Sequence, residues 1–392
     1  MFSNRTNWKL SRNRLTEALE EVNASGARVL DLTLSNPTRA GLRYDESQIL
    51  HALSSPNSLD YDPQPKGLPS ARAAVTDYYQ AQHKVSLNPE NVILTTSTSE
   101  GYSFVSRLLC NPGDELLVPK PSYPLFEFLA DLQDVKLIPY PLIYDHGWQM
   151  DFHSLQKAVT LRTRAVIVVH PNNPTGSFVH SHERDILNRF CRQHNLAVIA
   201  DEVFLDYAHD RSPQQSFAAN QNVLTFTLSG VSKISALPQM KVAWIVSSGP
   251  QADLEAAQAR LEVIADTYLS MNAPIQWATP ALLEQRKDIH SQLLNRVREN
   301  LTELDRQLAL QKSCERLNVE GGWYAVLRVP ATQTDEELAI DLLRRKNVLV
   351  HPGHFYDFPG EGHLVLSLIT PADEFAMAAT RLLEIAGHDS HR

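Results

Sequence analysis

The chain has 392 residues, 43% of them apolar, and its 36 Lys and Arg against 45 Asp and Glu give a formal net charge of −9. This length and apolar content are enough for a large hydrophobic core, and usually for more than one. The acidic balance argues against nucleic acid or an anionic membrane as a partner, and no apolar run approaches the ~20 residues that cross a bilayer. The three cysteines have no metal-like spacing and fit a reducing compartment, so we expect a cytoplasmic protein without a metal site.

The predicted elements begin with one helix and then alternate between strands and helices. Residues 1–14 are polar and lack the apolar segment of a secretory signal. Residues 13–22 have apolar side chains at helical spacing, and 28–34 alternates as a strand does. From about 63 to 263 helical stretches separate most of the apolar runs, which predicts an α/β fold with a mostly parallel, doubly wound sheet. The predicted strands of this sheet are 91–95, 115–118, 135–139, 165–169, 196–200, 223–227 and 242–246.

The C-terminal part of the chain predicts a smaller α+β unit. Long helices with apolar periodicity are expected between 251 and 310. The elements expected after them are strands at 323–329, 348–350 and 364–368 and helices at 335–345 and 371–386.

Three polar segments follow or end consecutive predicted strands. The first is 170–176, His-Pro-Asn-Asn-Pro-Thr-Gly; the second begins with Asp201 and Glu202; the third, 229–233, ends in Lys233. Because open α/β sheets build their sites at the carboxyl ends of their strands, we expect these groups to meet there. A lysine amine that forms a Schiff base, and a carboxylate that keeps a ring nitrogen protonated, are what pyridoxal 5'-phosphate requires.

From about Asp31 to the C-terminus the chain resembles the class I and II aminotransferases, the pyridoxal-phosphate family with the aspartate aminotransferase fold (fold type I). The resemblance implies a large cofactor-binding domain over 48–285 and a small domain that joins 1–47 to 286–392. It also implies an aminotransferase, which moves an amino group from an amino donor to a 2-oxo acid.

The resemblance assigns a role to each matching residue. Lys233 would form the Schiff base and move a proton between the substrate α-carbon and the cofactor, and Asp201 would pair with the ring nitrogen. Asn173 would donate to the phenolic oxygen of the cofactor, and Tyr123 would stack on its ring. The contacts expected at the cofactor phosphate and beside the lysine come from Thr96, Ser97, Thr98, Ser229 and Lys241. Helix capping is the alternative interpretation of the Thr96–Thr98 segment, and turn formation is compatible with the role of Asn173.

Tyr61 lies six residues before Gly67 and matches the tyrosine that reaches the phosphate of the neighbouring subunit in this family. The match implies a homodimer with shared active sites. The alternative is a loop tyrosine that packs on its own domain.

Several positions depart from the family pattern. Ser97 stands where a glycine is usual. Phe204 replaces a tyrosine that bonds the phenolic oxygen, and loss of that donor is expected to raise the pKa of the Schiff base. Lys241 replaces an arginine on the phosphate, so the charge remains but the two-pronged geometry is lost. Val365 stands where an arginine normally grips the substrate α-carboxylate.

The apolar side chain at 365 leaves three alternatives for the substrate. Another base can bind the carboxylate, the substrate can lack an adjacent carboxylate, or the local alignment slips. The candidate bases are Arg39, Arg43 and Lys66.

We expect Arg39, with Asn36 in the same turn, to bind substrate, because the matching segment of the family lines the substrate mouth. A neutral, apolar or aromatic amino acid is then the expected donor, since aspartate and glutamate need two cationic anchors. His351 and His354 lie near the expected site mouth and are left out of the catalytic set.

Two other functions remain open from the sequence. One is a lyase or oxidase that uses the same cofactor on the same fold. The other is a cofactor-binding regulator with little turnover, which the shortness of the segment before residue 28 disfavours. In each case the partners are small molecules, with neither nucleic acid nor membrane involved.

Overall fold

A computed structural model describes residues 1–8, 10–210 and 215–387. Its helices are α1 (Arg14–Ala24), α2 (Glu46–Ala52), α3 (Pro69–His83), α4 (Thr98–Leu109), α5 (Phe126–Asp131), α6 (Phe152–Ala158), α7 (Ser181–His194), α8 (Val231–Ile234), α9 (Gln251–Tyr268), α10 (Ala273–Glu284), α11 (Arg286–Leu308), α12 (Asp335–Lys346) and α13 (Ala372–Ala386). Its strands are β1 (Leu30–Asp31), β2 (Val92–Thr95), β3 (Glu115–Lys120), β4 (Lys136–Tyr144), β5 (Trp148–Met150), β6 (Thr163–Val169), β7 (Ala197–Asp201), β8 (Thr225–Gly230), β9 (Ala243–Ser248), β10 (Glu315–Arg316), β11 (Tyr324–Arg328), β12 (Val348–Leu349), β13 (His351–Pro352) and β14 (His363–Ser367).

The large sheet has eight strands in the order β2-β9-β8-β7-β6-β3-β4-β5. Its central strands, from β8 through β7, β6 and β3 to β4, run parallel. Strand β9 pairs antiparallel with both β8 and β2, and β5 closes the other edge as a hairpin with β4. Strands β6 and β7, at the centre of the sheet, are almost wholly buried because helices cover both faces, which is why they read as continuous runs of Val, Ile and Ala.

Side chains that alternate along the central strands pack into two different hydrophobic cores, one on each face of the large sheet. On one face Ile167 packs in a cluster with Phe104 of α4 and Leu261 of α9. On the other face Val166 packs in a cluster with Leu187 of α7. The α/β fold expected from the sequence is confirmed.

The small sheet is antiparallel in the order β10-β11-β14-β13, and α11, α12 and α13 contribute to the core beside it. A separate pair joins β1 to β12 in parallel, which attaches the N-terminal segment to this unit. Main-chain bonds continue the attachment, since Ser367 N donates to Leu32 O at 2.7 Å.

The predicted elements match the observed ones with shifts at their ends, the largest in β4, and with four exceptions. Two of the exceptions are the short strands β10 and β13, which were not expected from the sequence. The strand expected at 28–34 is only Leu30–Asp31, because Asp31 Oδ1 accepts from the amide and the hydroxyl of Thr33 and turns the chain. The short edge strand Trp148–Met150 was not expected from the sequence. Among the helices of the described ranges, none combines the length and apolarity of a membrane span.

Candidate active site

Lys233 lies in the single turn α8, which follows the end of β8. Gly230 permits the sharp passage from strand to helix, because a Cβ there would lie 2.7 Å from Val242 O and 2.9 Å from Ala243 Cβ. The hydroxyl of Tyr207 donates to the Lys233 carbonyl at 2.7 Å and fixes the turn. The position of the lysine is therefore set by main-chain packing.

The amine of Lys233 faces aromatic rings. Its Nζ lies 4.8 Å from the ring centroid of Trp323 and 5.5 Å from that of Phe204. Burial lowers the pKa of Lys233 to about 8, while the nearby Asp201 carboxylate acts in the opposite direction. The amine is therefore neutral near pH 7 to a greater extent than that of an ordinary lysine, and a nucleophile requires the neutral form.

Asp201 ends β7, the neighbour of β8 in the sheet, and both of its carboxylate oxygens are hydrogen-bonded. Val203 N donates to Oδ1 at 3.1 Å, and the hydroxyl of Tyr102 donates to Oδ2 at 3.1 Å. Burial raises the pKa of Asp201 to about 6, and these donors and Lys233 oppose that rise. The structure thus brings together the two residues predicted to be catalytic, on adjacent strands.

Tyr102 was not identified from the sequence. It lies on α4, and a buried tyrosine hydroxyl needs a partner, but only the fold reveals that the partner is Asp201.

The loop that contains Asn173 is fixed at both of its ends. Asn172 Nδ2 donates to Pro121 O at 3.1 Å and to Thr175 Oγ1 at 2.9 Å. Gly176 has a φ of +70°, and a Cβ there would lie 2.5 Å from Gly321 O, so the loop meets the segment before β11 closely. Within the described residues, Asn173 Oδ1 is buried without a hydrogen-bond partner.

The N-terminus of α4 lies next to the end of β2, and its side chains cap the helix. Ser97 Oγ accepts from Glu100 N at 3.2 Å. The Glu100 carboxylate accepts from Thr96 N at 2.7 Å, from Thr96 Oγ1 at 3.2 Å and from Ser270 Oγ at 2.9 Å. Capping is therefore a role that Thr96 and Ser97 have in the structure, and an anion here would meet the first-turn amides together with Thr98.

The other predicted cofactor residues differ in exposure. Tyr123 lies near Asp201, whose charge adds to the effect of burial in raising the pKa of the tyrosine. Ser229 is buried, and its hydroxyl donates to Glu202 O at 3.3 Å. Lys241 is exposed, and its backbone is in the left-handed region with φ of 53°.

Tyr61 is 83% exposed and lines a cavity of about 290 Å³ with Ser270, Met271 and Trp277 among other residues.

The predicted substrate residues lie on a short turn after β1. Asn36 Oδ1 accepts from the amide and hydroxyl of Thr38 at 3.1 and 2.8 Å, so this oxygen caps the 3₁₀ turn Pro37–Arg39. Arg39 itself is exposed. Lys66 is engaged elsewhere, 3.4 Å from carboxylate oxygens of Glu90 and Glu262.

Val365, the position where the resemblance places an arginine, is fully buried in the small sheet. Its cross-strand partners are Val326 on β11 and His351 on β13. The 353–357 turn after β13 reaches the large sheet, because Ser122 N donates to Tyr356 O at 3.0 Å and Lys120 Nζ lies 3.0 Å from Asp357 Oδ2.

These residues fit pyridoxal phosphate. A lysine amine with a lowered pKa and a buried carboxylate with fixed oxygens follow β8 and β7, and Asn173, whose amide NH2 is a donor, lies in the loop after β6. The first turn of α4, capped by Ser97, lies at the end of β2, where backbone amides suit an anion.

Comparisons with known proteins agree with this geometry. The family model described as aminotransferase class I and II matches residues 6–382. Glutamate-pyruvate aminotransferase AlaA of Haemophilus influenzae is 26% identical over 364 residues, which are 91% of this chain and 90% of that protein. The alanine aminotransferase of Mycobacterium tuberculosis is 28% identical over 374 residues, 92% of this chain and 86% of that protein.

Solved structures with the same fold include an aminotransferase from Escherichia coli, with a TM-score of 0.87 at 24% identity over 99% of this chain and 98% of that one. An alanine aminotransferase from Pyrococcus furiosus superposes with a TM-score of 0.89 at 22% identity, covering 98% of this chain and 99% of that one.

Proposed function

The chain belongs to the class I and II aminotransferases and is a pyridoxal-phosphate-dependent transaminase; on that premise we propose that Lys233 and Asp201 carry the reaction and that the donor is a neutral or aromatic amino acid. A 2-oxo acid is the acceptor. The observation that supports this most directly is the meeting of Lys233 and Asp201 at adjacent strand ends. The bound cofactor supplies an electron sink for the substrate α-carbon.

Asp201 would pair with the ring nitrogen of the cofactor. Tyr102 and Val203 hold the carboxylate from the other side, so its direction is set before the cofactor binds. Asn173 would donate to the phenolic oxygen, and Tyr123 would cover the ring. The phosphate would be bound by Thr96, Ser97, Thr98 and Lys241, with Ser229 supporting the strand end behind Lys233.

Once the substrate amine has replaced the lysine on the cofactor, the free Nζ of Lys233 would take a proton from the substrate α-carbon or return one to it. An amine whose pKa is lowered to about 8 is well matched to accept and return a proton near neutral pH. Trp323 and Phe204 restrict water around Nζ, which keeps the transfer local.

The donor specificity follows from the apolar substrate side. Val365 has no charge with which to bind a carboxylate. Arg39 would bind the carboxylate at the mouth of the site, and Asn36 caps the turn that contains Arg39. One cation can bind one carboxylate but not the second carboxylate of aspartate or glutamate. The similarity to alanine and glutamate-pyruvate aminotransferases supports alanine and pyruvate as a first pair to test.

The assembly is proposed to be a cytoplasmic homodimer with shared sites. Tyr61 is exposed beside the cavity that Ser270 and Met271 line, and the exposed Leu59 and Leu269 add apolar surface nearby. A second subunit would cover this surface and place Tyr61 near the partner's phosphate. We also propose a large domain over 48–285 and a small domain of 1–47 with 286–392.

The test is a half-reaction screen of the purified holoenzyme. Each amino donor is added alone, and the absorbance of the cofactor is followed until a 2-oxo acid restores it. A transaminase is converted and then reset, whereas a lyase would release ammonia without needing the oxo acid. No conversion by neutral or aromatic donors, with good conversion by aspartate, would contradict the proposed specificity.

A further inference from the structure

The pairing of β13 with β14 places one histidine beside the buried valine of the substrate side. His351 is directly opposite Val365 in the register, and Val326 is opposite Val365 on the other side. Directly opposed residues of an antiparallel pair project to the same face of the sheet, with Cβ atoms about 4.5–5.5 Å apart. His351 is partly exposed where Val365 is fully buried, so the imidazole is the polar group that this face presents.

The same face of the small sheet is turned towards Lys233. Tyr324 is two residues before Val326 on β11 and therefore projects to the same side. Its ring lies 6.2 Å from that of Phe204, and Phe204 lies 5.5 Å from Lys233 Nζ. The imidazole is thus on the same face of the small sheet as Tyr324, whose ring lies near that of Phe204 beside the reacting amine.

The imidazole is held in place by its neighbours. The hydroxyl of Tyr356 lies 3.1 Å from His351 Nδ1, and the ring contacts those of Phe355 and Tyr356 at 5.8 Å. Burial lowers the pKa of His351, so the imidazole is neutral and has one ring proton. With the Tyr356 phenol as the donor to Nδ1, that proton is on Nε2, and the inference below takes this tautomer.

The other cations near the cleft are engaged or lie outside it. Lys120 is paired with Asp357 at 3.0 Å, and Lys66 lies beside Glu90 and Glu262. Arg39 is on an exposed turn. His351 is therefore the imidazole donor of this wall; Trp323 Nε1 is a second N–H donor without a partner among the described residues, and the Asp31 carboxylate lies close enough to His351 to oppose the lowering of its pKa by burial.

We infer that His351 binds the α-carboxylate of the amino donor and of the 2-oxo acid through Nε2, in the place where Val365 has no charge to offer. The substrates of this site are monocarboxylates whose side chains lie among Tyr324, Tyr356 and Trp323. This inference rests on the proposed function. A single imidazole donor makes one hydrogen bond to the carboxylate where a guanidinium makes two.

The test compares two donors that differ by one group: an amino acid that the wild-type holoenzyme converts, and the amine with the same side chain but no carboxylate. Half-saturation concentrations and maximal rates of the half-reaction are measured for His351→Phe, His351→Gln and the control His354→Gln, whose exposed side chain is on the adjacent turn.

We expect His351→Phe to raise the half-saturation concentration for the amino acid about ten- to a hundredfold, as the loss of a hydrogen bond to a charged group does. The value for the amine should stay unchanged. His351→Gln should recover part of the loss because its amide donates, and His354→Gln should behave as the wild type.

Two results would overturn the inference in distinguishable ways. If the wild type converts amino acids and His351→Phe leaves their half-saturation concentrations unchanged, or changes amino acid and amine equally, His351 is not the carboxylate donor. If the wild type converts no donor at all, the proposed function is wrong and the inference falls with it.

Discussion

The two sides of the active-site cleft are built differently. On the side of the large sheet, Asp201 has both oxygens bonded, by Tyr102 and Val203, and faces a lysine with a lowered pKa. On the side of the small sheet, Val365 lies between Val326 and His351 among aromatic rings. The first side is organised by polar contacts, whereas the second is organised by apolar packing with one histidine.

This difference indicates that chemistry and recognition are separable in the protein. The reaction needs an amine and a ring-nitrogen partner whatever the substrate is, whereas the carboxylate contact depends on the substrate. Changes on the large-sheet side should therefore lower kcat, and changes on the small-sheet side should raise KM. The predictions below test this separation, from the largest expected effect to the smallest.

Lys233→Ala should abolish turnover and the borohydride-reducible lysine adduct, because Lys233 is the amine that lies beside Asp201 at the strand ends among the described residues. Mass spectrometry of the reduced wild type should locate the adduct on Lys233. The control is Lys66→Ala, whose side chain is engaged with Glu90 and Glu262, and which should keep both activity and adduct. An adduct on a different lysine would refute the assignment.

Asp201→Ala should slow removal of the α-proton by several orders of magnitude, on the scale of ~4–7 kcal/mol in the activation barrier. The reason is loss of the charge that keeps the ring nitrogen protonated. Solvent exchange of the substrate α-hydrogen measures this step directly.

Asp201→Asn separates charge from packing, since it keeps the shape of the side chain but not its charge. It should be nearly as slow as Asp201→Ala. Near-normal exchange in the Asn variant would remove Asp201 from the mechanism.

Mixed dimers test whether the sites are shared. Tyr61→Phe and Lys233→Ala subunits should each be impaired alone, whereas one site of each hybrid should carry neither change. Mixing the two impaired proteins through partial unfolding and refolding should then restore activity above that of either alone. A protein that sediments as a monomer at assay concentration would contradict the shared site outright.

Arg39→Ala should give the smallest effect, because an exposed charge contributes little and is screened by salt. We expect KM for amino acids to rise by about fivefold or less, with kcat unchanged. The amine without a carboxylate should show no change. A rise in KM larger than that caused by His351→Phe would mean that Arg39, at the mouth of the site, is the stronger of the two carboxylate contacts.

Much of the cofactor side could be predicted from the sequence. The segments that carry Asn173, Asp201 and Lys233 each follow an apolar strand, and parallel strands end at one edge of a sheet, so their meeting follows from local pattern and topology. Tyr102 and Trp323 could not be found in this way. Their roles depend on contacts with residues distant in the chain, and each is indistinguishable in sequence from an ordinary core aromatic.

The sequence by itself determined the fold class, the order of the elements and the position of the lysine, because strand and helix periods and turn residues act over short distances. Tertiary structure alone decided what surrounds residue 365. The pairing of His351 with Val365 depends on the register between β13 and β14, and a shift of one residue would turn the imidazole to the opposite face. That register is set by packing across the whole small sheet, which no local segment encodes.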